Sequence, residues 1–236
     1  MKRSVCIATY NGEKYIKEQL GSILSQIGEN DEVIISDDSS TDNTVETIKS
    51  FNDNRIKIFK NTKEKGYTRN FENALEKASG DIIFLSDQDD VWVENKVQKM
   101  TEILKEYDFV VSDNSIVNEN LEIINKSHFE VYKTSKGFLT NLLLPRYVGA
   151  CMAFKKNVLQ KSLPFPNNAK LSAHDYWISL IAEMYFKCYK LDEQLLLYRR
   201  HGANASSGGE KSKNSLGHKL KVRIYTLTHL LKRLYK

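Results

Sequence analysis

The chain has 236 residues, 41% of them hydrophobic, which suits one large domain or a domain with a small appendage, and no apolar run approaches the roughly 20 residues of a transmembrane helix. The formal net charge is +5, but eight Lys and Arg and no Asp or Glu lie from Lys211 onward, so the rest of the chain is slightly acidic. Because a nucleic-acid-binding domain carries basic surface on the fold itself, this distribution argues against nucleic acid as a partner.

The first 90 residues alternate between the sequence patterns of strands and helices. Apolar runs predict strands at residues 4–9, 32–36, 55–59 and 82–85, and helical spacing predicts helices at 13–27, 42–51 and 68–78. This alternation predicts an α/β fold with a mostly parallel sheet and right-handed crossovers. Polar clusters follow the first, second and fourth strands, and we expect them to meet at the carboxyl edge of the sheet, where ligands bind in open α/β folds.

The fourth predicted strand is followed directly by three carboxylates. In the segment Gly80–Trp92, GDIIFLSDQDDVW, the apolar run stops at Ser86, and Asp87, Asp89 and Asp90 follow within four positions. Carboxylates this close raise one another's pKa, and Mg²⁺ or Mn²⁺ relieves the conflict because these ions take oxygen ligands and share them with substrate phosphates. The alternative is an acidic loop that caps the next helix, but capping needs only one aspartate, so we favour a metal site.

The second half of the chain has a less regular pattern. It predicts helices near residues 93–107, 137–144 and 172–185, strands at 108–112, 147–154 and 194–198, and a short hairpin after residue 112. Gly149 and Ala150 fall inside the strand predicted at 147–154, where small residues leave room for another group close to the backbone.

The end of the chain is predicted to be a flexible linker and a basic amphipathic helix. Residues 202–212 are rich in Gly and Ser, and in a helix over 214–235 six apolar residues would fall within an arc of roughly 80°. We therefore divide the chain into a domain at 1–204 and a linker with helix at 205–236. A basic helix with an apolar face suits a membrane interface; the alternative is a helix that packs its leucine stripe on the domain or on a second subunit.

Three segments that each cover a predicted strand and its polar end together resemble glycosyltransferase family 2, the inverting family with the GT-A fold. They are VCIATYNGEKYI, VIISDDSSTDNT and FLSDQDDVW, and later AHDYWISL and LLLYRRHGANAS are similar to the subgroup that includes bacterial rhamnosyltransferases. The resemblance covers residues 2–204. It implies a Rossmann-like, mostly parallel sheet flanked by helices, and a site at the strand ends for a nucleoside-diphosphate sugar.

The resemblance assigns residues to that site. Those expected to bind the nucleotide sugar are Thr9, Tyr10, Asn11, Asp38, Asn70, Asp87 and Arg200. Asp38 is preferred to Asp37 as the contact to the base, and Arg69 is an alternative to Asn70, although this pair fits a plain surface helix equally well. Arg199 and Arg200 offer donors for a diphosphate or form a solvated patch. Trp177 could stack on a sugar, but its place on an apolar helix favours core packing.

The resemblance also implies the catalytic groups. Asp175 is expected to be the general base that takes the proton from the acceptor hydroxyl. Many members of the family have Glu before this Asp, whereas this chain has His174, to which no role is assigned. Asp89 and His201 are expected to bind Mn²⁺ or Mg²⁺, which would neutralise the departing diphosphate. By itself His201 would more often be an ordinary surface histidine.

The predicted function is transfer of a sugar, with inversion, from dTDP-rhamnose or next a UDP-hexose to a hydroxyl of a glycan or lipid-linked acceptor in bacterial surface polysaccharide synthesis. One alternative is a nucleotidyltransferase, but the first strand is followed by ATYNGEKY and not by a Gly-rich phosphate loop. The other is a non-catalytic nucleotide-sugar binding protein, against which the retained Asp87, Asp89 and Asp175 argue.

Cysteine use predicts a cytoplasmic location. Cys6, Cys151 and Cys188 are odd in number and far apart, which is typical of reduced core residues. The apolar part of MKRSVCIATYNG is too short for a signal peptide. We expect a cytoplasmic protein whose basic helix could place it at the inner face of the plasma membrane.

Overall fold

The computed structural model describes residues 1–202, 204 and 215–234. The linker predicted at 202–212 therefore lies almost wholly outside the described residues. Parallel strands and their helices form the first half of the chain. Strands of both directions extend the same sheet in the second half.

Within the described residues, nine strands form one sheet. The strands are β1 (Arg3–Thr9), β2 (Glu32–Asp37), β3 (Ile56–Lys60), β4 (Ile82–Ser86), β5 (Val91–Trp92), β6 (Phe109–Val117), β7 (Ile123–Asn125), β8 (Met152–Lys155) and β9 (Cys188–Arg199). Their order is β3-β2-β1-β4-β8-β6-β9-β5, with β7 paired to β6. Strands β1 to β4 run parallel to one another, as predicted.

The helices cover the two faces of this sheet. They are α1 (Glu13–Leu24), α2 (Thr44–Lys49), α3 (Tyr67–Leu75), α4 (Lys96–Ile103), α5 (His128–Tyr132), α6 (Phe138–Leu143), α7 (Lys156–Ser162), α8 (His174–Tyr185) and α9 (Leu216–Lys232). The central strands are buried on both faces, since Val5, Ile34 and Phe84 are all 0% exposed. Burial of both faces explains why these strands are continuous apolar runs.

The parallel half places three strand ends side by side. Thr9 pairs with Asp37 across β1 and β2, and Ile7 pairs with Ser86 across β1 and β4. The residues that follow these strands therefore emerge at one edge of the sheet, as expected from strand-helix alternation.

The second half differs from the prediction in several places, one of which is helix α5, which was not predicted. The segment Gly149–Cys151 is a 3-10 turn, and the strand begins only at Met152. Strand β9 has 12 residues and not the five predicted at 194–198, because its first half has exposed or half-buried polar positions that hide its period. Helix α7 was not predicted.

Helix α9 packs on the domain, but among the described residues Leu227 is the one member of its leucine stripe that packs against the core. Thr226 and Leu230 are 0% exposed, and Tyr185 of α8 donates a hydrogen bond to the Leu230 carbonyl at 3.0 Å. Arg233, just past the helix, donates to the Leu163 carbonyl at 2.9 Å. Most of the predicted stripe faces outward: the exposed side chains are Leu216, Leu220, Ile224, Leu231 and Leu234. Packing of the stripe on its own domain, one of the sequence alternatives, is therefore wrong for these five residues.

Among the described helices, none has both the length and the apolar character to cross a membrane.

Candidate active site

A cleft of about 1610 Å³ opens at the carboxyl edge of the parallel strands. Of the ten residues assigned from sequence, nine line it: Thr9, Tyr10, Asn11, Asp38, Asn70, Asp87, Asp89, Asp175 and His201. They come from the ends of β1, β2, β4 and β9 and from the helices α3 and α8. The fold thus brings together side chains that are up to 190 residues apart in sequence, although the role of each remains a prediction.

The nucleotide side of the cleft is built around the end of β1. The Asn70 amide donates to the Thr9 carbonyl at 3.0 Å, which leaves its buried Oδ1 without a partner among the described residues. Asp38 accepts hydrogen bonds from the Asn61 amide and the Gly66 N–H, both at 2.8 Å. Asp38 therefore fixes the loop before α3 while it lines the cleft, and Asn70 is part of the buried site and not of a plain surface helix.

Gln88, the middle residue of Asp-Gln-Asp, has a role that the sequence analysis missed. Its side chain accepts from the Tyr10 N–H at 2.9 Å and donates to the Tyr10 carbonyl at 3.0 Å. A Cβ on Gly12 would lie 2.3 Å from the Gln88 Oε1. Gln88 thereby ties the loop after β1 to the acidic loop after β4, and only its position between the two aspartates hinted at this.

The acidic loop brings Asp89 against His201. The Asp89 Oδ2 and the His201 Nε2 are 2.8 Å apart, and the His201 ring lies 4.8 Å from that of Tyr15. Burial and the charges of Asp89 and Asp175 raise the pKa of Asp87 to about 7. Burial is the main cause, and the crowding of carboxylates expected from the sequence adds to it.

Arg199 holds the acidic loop through hydrogen bonds. It is 3% exposed, and its side chain donates to the Asp89 carbonyl at 2.7 Å while its N–H donates to the Asp90 carboxylate at 2.9 Å. Asp90 is thus a buried structural residue. Arg200 donates its N–H to the Val117 carbonyl at 2.8 Å and is the one assigned residue outside the described lining of the cleft. Its predicted contact to the diphosphate receives no support from this position.

The donor atoms at Asp89 fit a divalent cation that shares its ligands with a substrate. One carboxylate oxygen and one imidazole nitrogen converge there, and Mn²⁺ and Mg²⁺ sites of this kind are completed by phosphate oxygens and water. Within the described residues, no group of three or more His, Cys, Asp or Glu side chains is arranged to hold a metal ion alone. A metal here would therefore be bound by Asp89 and His201 together with the diphosphate.

Asp175 lies in the first turn of α8. It lines the same cleft as the acidic loop but comes from a different element. One of its oxygens accepts from the Tyr176 N–H at 2.7 Å. The neighbouring His174 is buried and stacks on Phe71 with ring centroids 4.1 Å apart. Burial lowers the pKa of His174, which favours a neutral ring beside Asp175.

The 3-10 turn packs tightly against these two residues. A Cβ on Gly149 would lie 2.9 Å from the His174 Nε2 and 3.4 Å from the Asp175 Cβ. The missing side chain of Gly149 is therefore what lets α8 approach the turn, which explains why the sequence places small residues here.

Gly149→Ala is expected to lower kcat by about tenfold or more, since a shift of about 1 Å in a catalytic group can cost about 10² in rate. Donor binding should change little, because the atoms nearest to the added Cβ belong to His174 and Asp175 and not to a residue assigned to the nucleotide. Steady-state kinetics and nucleotide titration measure the two effects. Gly21→Ala, where an added Cβ meets nothing within 4 Å, is the matched control; equal kinetics for both variants would contradict the tight packing.

Comparison with known proteins identifies the family. The model of the family described as Glycosyl transferase family 2 matches residues 4–163, so the chain belongs to this family. An uncharacterised glycosyltransferase of Nostoc sp., alr2836, is 30% identical over 86% of this chain and 66% of its own length. The Escherichia coli UDP-Glc:alpha-D-GlcNAc-diphosphoundecaprenol beta-1,3-glucosyltransferase WfgD is 34% identical over 52% of this chain and 47% of its own. The chain thus spans between about half and two thirds of the length of these relatives.

Solved structures with the same fold are glycosyltransferases. The structure of S. aureus TarS 1-349 in complex with UDP-GlcNAc is similar to this chain, with a TM-score of 0.75 and 21% sequence identity. The likeness covers 98% of this chain and 67% of the TarS chain. The mannosyltransferase PcManGT from Pyrobaculum calidifontis, in complex with GDP-Man and Mn²⁺, has a TM-score of 0.62, with 18% identity, and covers 98% of this chain and 64% of its own. These likenesses establish the GT-A fold that the sequence resemblance implied.

Proposed function

We propose that this protein is an inverting, metal-dependent glycosyltransferase that moves a hexose from a UDP-sugar to a hydroxyl of a lipid-linked glycan acceptor. The observation that carries the proposal is the meeting of two chemical groups in one cleft. Asp89 and His201 form the side that suits a metal-bound diphosphate, and Asp175 faces the same space from α8. Breaking a bond from an anomeric carbon to phosphate needs both, a neutralised leaving group and a base for the attacking hydroxyl.

Each group of this chain then has one task. The loops after β1 and β2 hold the nucleotide, and Gln88 keeps the first of them in register with the acidic loop. Asp89 and His201 hold Mn²⁺ or Mg²⁺, whose chemistry is to offset the charge of the departing diphosphate. Asp175 orients the acceptor hydroxyl and takes its proton, on the face of the sugar opposite the diphosphate, which gives inversion.

The uridine donor is supported by the relatives. WfgD is named for UDP-Glc, and TarS was crystallised with UDP-GlcNAc, whereas dTDP-rhamnose was first predicted from the resemblance of the last two motifs. A thermal-shift series with Mn²⁺ should separate UDP-glucose, UDP-GlcNAc, dTDP-rhamnose and GDP-mannose. A native-state ligand at about 100 times its Kd stabilises by roughly 2.7 kcal/mol. Failure of every nucleotide sugar to shift the melting temperature would contradict the proposed function.

Turnover separates this function from its two alternatives. The best-bound nucleotide sugar, incubated with Mn²⁺, should release UDP slowly to water and faster with a lipid-linked acceptor. A non-catalytic binding protein would bind the donor and release nothing, and a nucleotidyltransferase would release pyrophosphate from a nucleoside triphosphate and a sugar phosphate.

We also propose that the exposed face of α9 binds an anionic membrane surface. The face defined by Leu216, Leu220, Ile224, Leu231 and Leu234 is exposed, and Lys221 and Lys232 are exposed beside it. No Asp or Glu occurs from Lys211 to the last residue, so the charge of the helix complements anionic lipid, at about 1 kcal/mol for each Lys or Arg near the surface. An enzyme held there would meet a lipid-linked acceptor directly.

Leu220→Gln, Ile224→Gln and Leu231→Gln, combined, are expected to abolish co-sedimentation with vesicles of phosphatidylglycerol. These side chains are 61%, 53% and 53% exposed, so the fold should tolerate the change. The wild-type chain should bind these vesicles, more weakly in high salt, and bind uncharged vesicles poorly. Ile123→Gln with Ile124→Gln is the control, since these residues are also exposed but belong to β7. Unchanged vesicle binding, or conversion of a dimer to a monomer, would show that α9 is not a membrane element.

A further inference from the structure

The wall of the cleft that faces away from the acidic loop is basic. The cations that line it come from four separate segments and are Lys133, Arg146, Lys170, Lys219 and Arg223. None of the ion pairs formed within the described residues includes any of these five side chains. A group of cations without acidic partners on a concave surface attracts an anion.

Helix α9 forms part of this wall. Lys219, Val222 and Arg223 line the cleft, although they follow a segment that the sequence separated from the domain. Arg223 donates to the Leu143 carbonyl at 2.8 Å, and the Tyr176 hydroxyl donates to the preceding Leu142 carbonyl at 2.9 Å. The wall is thus joined through α6 to the helix that holds Asp175, so a ligand bound on the wall is placed in a fixed relation to the base.

Apolar side chains lie between the cations. Val131, Leu143 and Leu144 line the same part of the cleft and are 47%, 61% and 49% exposed. A purely polar sugar would leave these side chains without favourable contact, whereas an amphiphile covers them. The chemistry of the wall therefore matches a ligand with an anionic group beside a hydrocarbon segment.

We propose that this basic wall binds the phosphate or diphosphate group of an amphiphilic acceptor, and that α9 is one side of the acceptor site. This inference rests on the proposed function, because it assumes that the donor diphosphate is held at Asp89 and His201. Two phosphate groups then occupy the cleft at once, the donor's on the acidic side through a metal and the acceptor's on the basic wall through Lys and Arg. Lys and Arg donate the charge-assisted hydrogen bonds that phosphate oxygens accept most strongly.

The test is binding of decyl diphosphate, below its micelle concentration, by isothermal titration calorimetry in saturating UDP and Mn²⁺. Lys170→Gln with Lys219→Gln should raise its Kd by about tenfold or more. Neither side chain donates a hydrogen bond to another described residue, so the fold should be unaffected. Lys221→Gln with Lys232→Gln removes the same charge from exposed positions of α9 and outside the lining of the cleft, and should leave the Kd within about twofold. Decanol should bind poorly to every variant.

Three results would overturn the inference. Competition between UDP and decyl diphosphate would place the ligand in the donor site. Equal loss in both double variants would reduce the effect to general charge, and equal binding of decanol would remove the role of phosphate. Titration of UDP with Mn²⁺ into the same variants tests the donor site separately: retained UDP binding with no decyl diphosphate binding rejects only the basic wall, whereas decyl diphosphate binding without UDP binding rejects the proposed function.

Discussion

Asp175→Asn is expected to lower kcat by about 10²–10⁴-fold, the usual contribution of a positioned general base. Asparagine has nearly the same shape and still accepts the hydrogen bond that the Tyr176 N–H donates at 2.7 Å. The start of α8 should therefore be unchanged, while the group that takes the proton is lost. Because the nucleotide is expected to bind the loops after β1 and β2, the Kd for UDP with Mn²⁺ should be retained.

Rate and binding have to be measured on the same preparation. Asp192→Asn is the control, because Asp192 has a side chain that is 73% exposed and belongs to β9 outside the cleft. Turnover close to wild type in Asp175→Asn would show that Asp175 is not the base. A large rise in the Kd for UDP with an unchanged rate at saturation would make it a residue that positions the substrate.

Asp89→Ala is expected to remove turnover, by about 10³-fold or more, because a metal supplies several kcal/mol of charge stabilisation to a leaving diphosphate. It should also remove the Mn²⁺ dependence of UDP binding. The Asp89 carboxylate is the proposed oxygen ligand beside His201, and without it His201 alone would hold the ion weakly. Isothermal titration of UDP with and without Mn²⁺ measures this directly.

The fold should survive this substitution. Arg199 holds the acidic loop through the Asp89 carbonyl and the Asp90 carboxylate, and both remain in the variant. Glu119→Ala is the matched control, since Glu119 also lines the cleft but pairs with Lys14 at 2.6 Å. If Asp89→Ala kept Mn²⁺-dependent UDP binding, the metal would have to be held elsewhere.

Local sequence patterns predicted the parallel half of the molecule well. Strands β1, β2 and β4 are buried on both faces and therefore appear as unbroken apolar runs. Their polar ends then had to meet at one edge, which is why Tyr10, Asp38 and Asp87 could be grouped from the sequence. The prediction of a strand at 147–154 was wrong for its first residues. Gly149 and Ala150 fit the pattern of a strand, but the small size at this turn allows close packing against His174 and Asp175.

The assignment of two neighbouring arginines shows where sequence patterns stop. Arg199 and Arg200 follow one another at the end of β9, and nothing local distinguishes them. Successive residues of a strand point to opposite faces, so the two side chains take different directions. The structure places Arg199 against the acidic loop and Arg200 outside the lining of the cleft, and the contact of Arg200 to a diphosphate stays a prediction.

The sequence by itself determined the α/β class, the family, and the edge of the sheet at which the cleft opens. These follow from short-range patterns, in which a strand, its turn and its polar end are contiguous. Only the tertiary structure decided which face of α9 is buried. The helical spacing favours the leucine stripe as the buried face, but the buried residues are Thr226 and Leu230, and most of the stripe is exposed. It also decided that cations of α9 line the cleft. The contact between Arg223 and Leu143 joins segments about 80 residues apart, and no local periodicity encodes it.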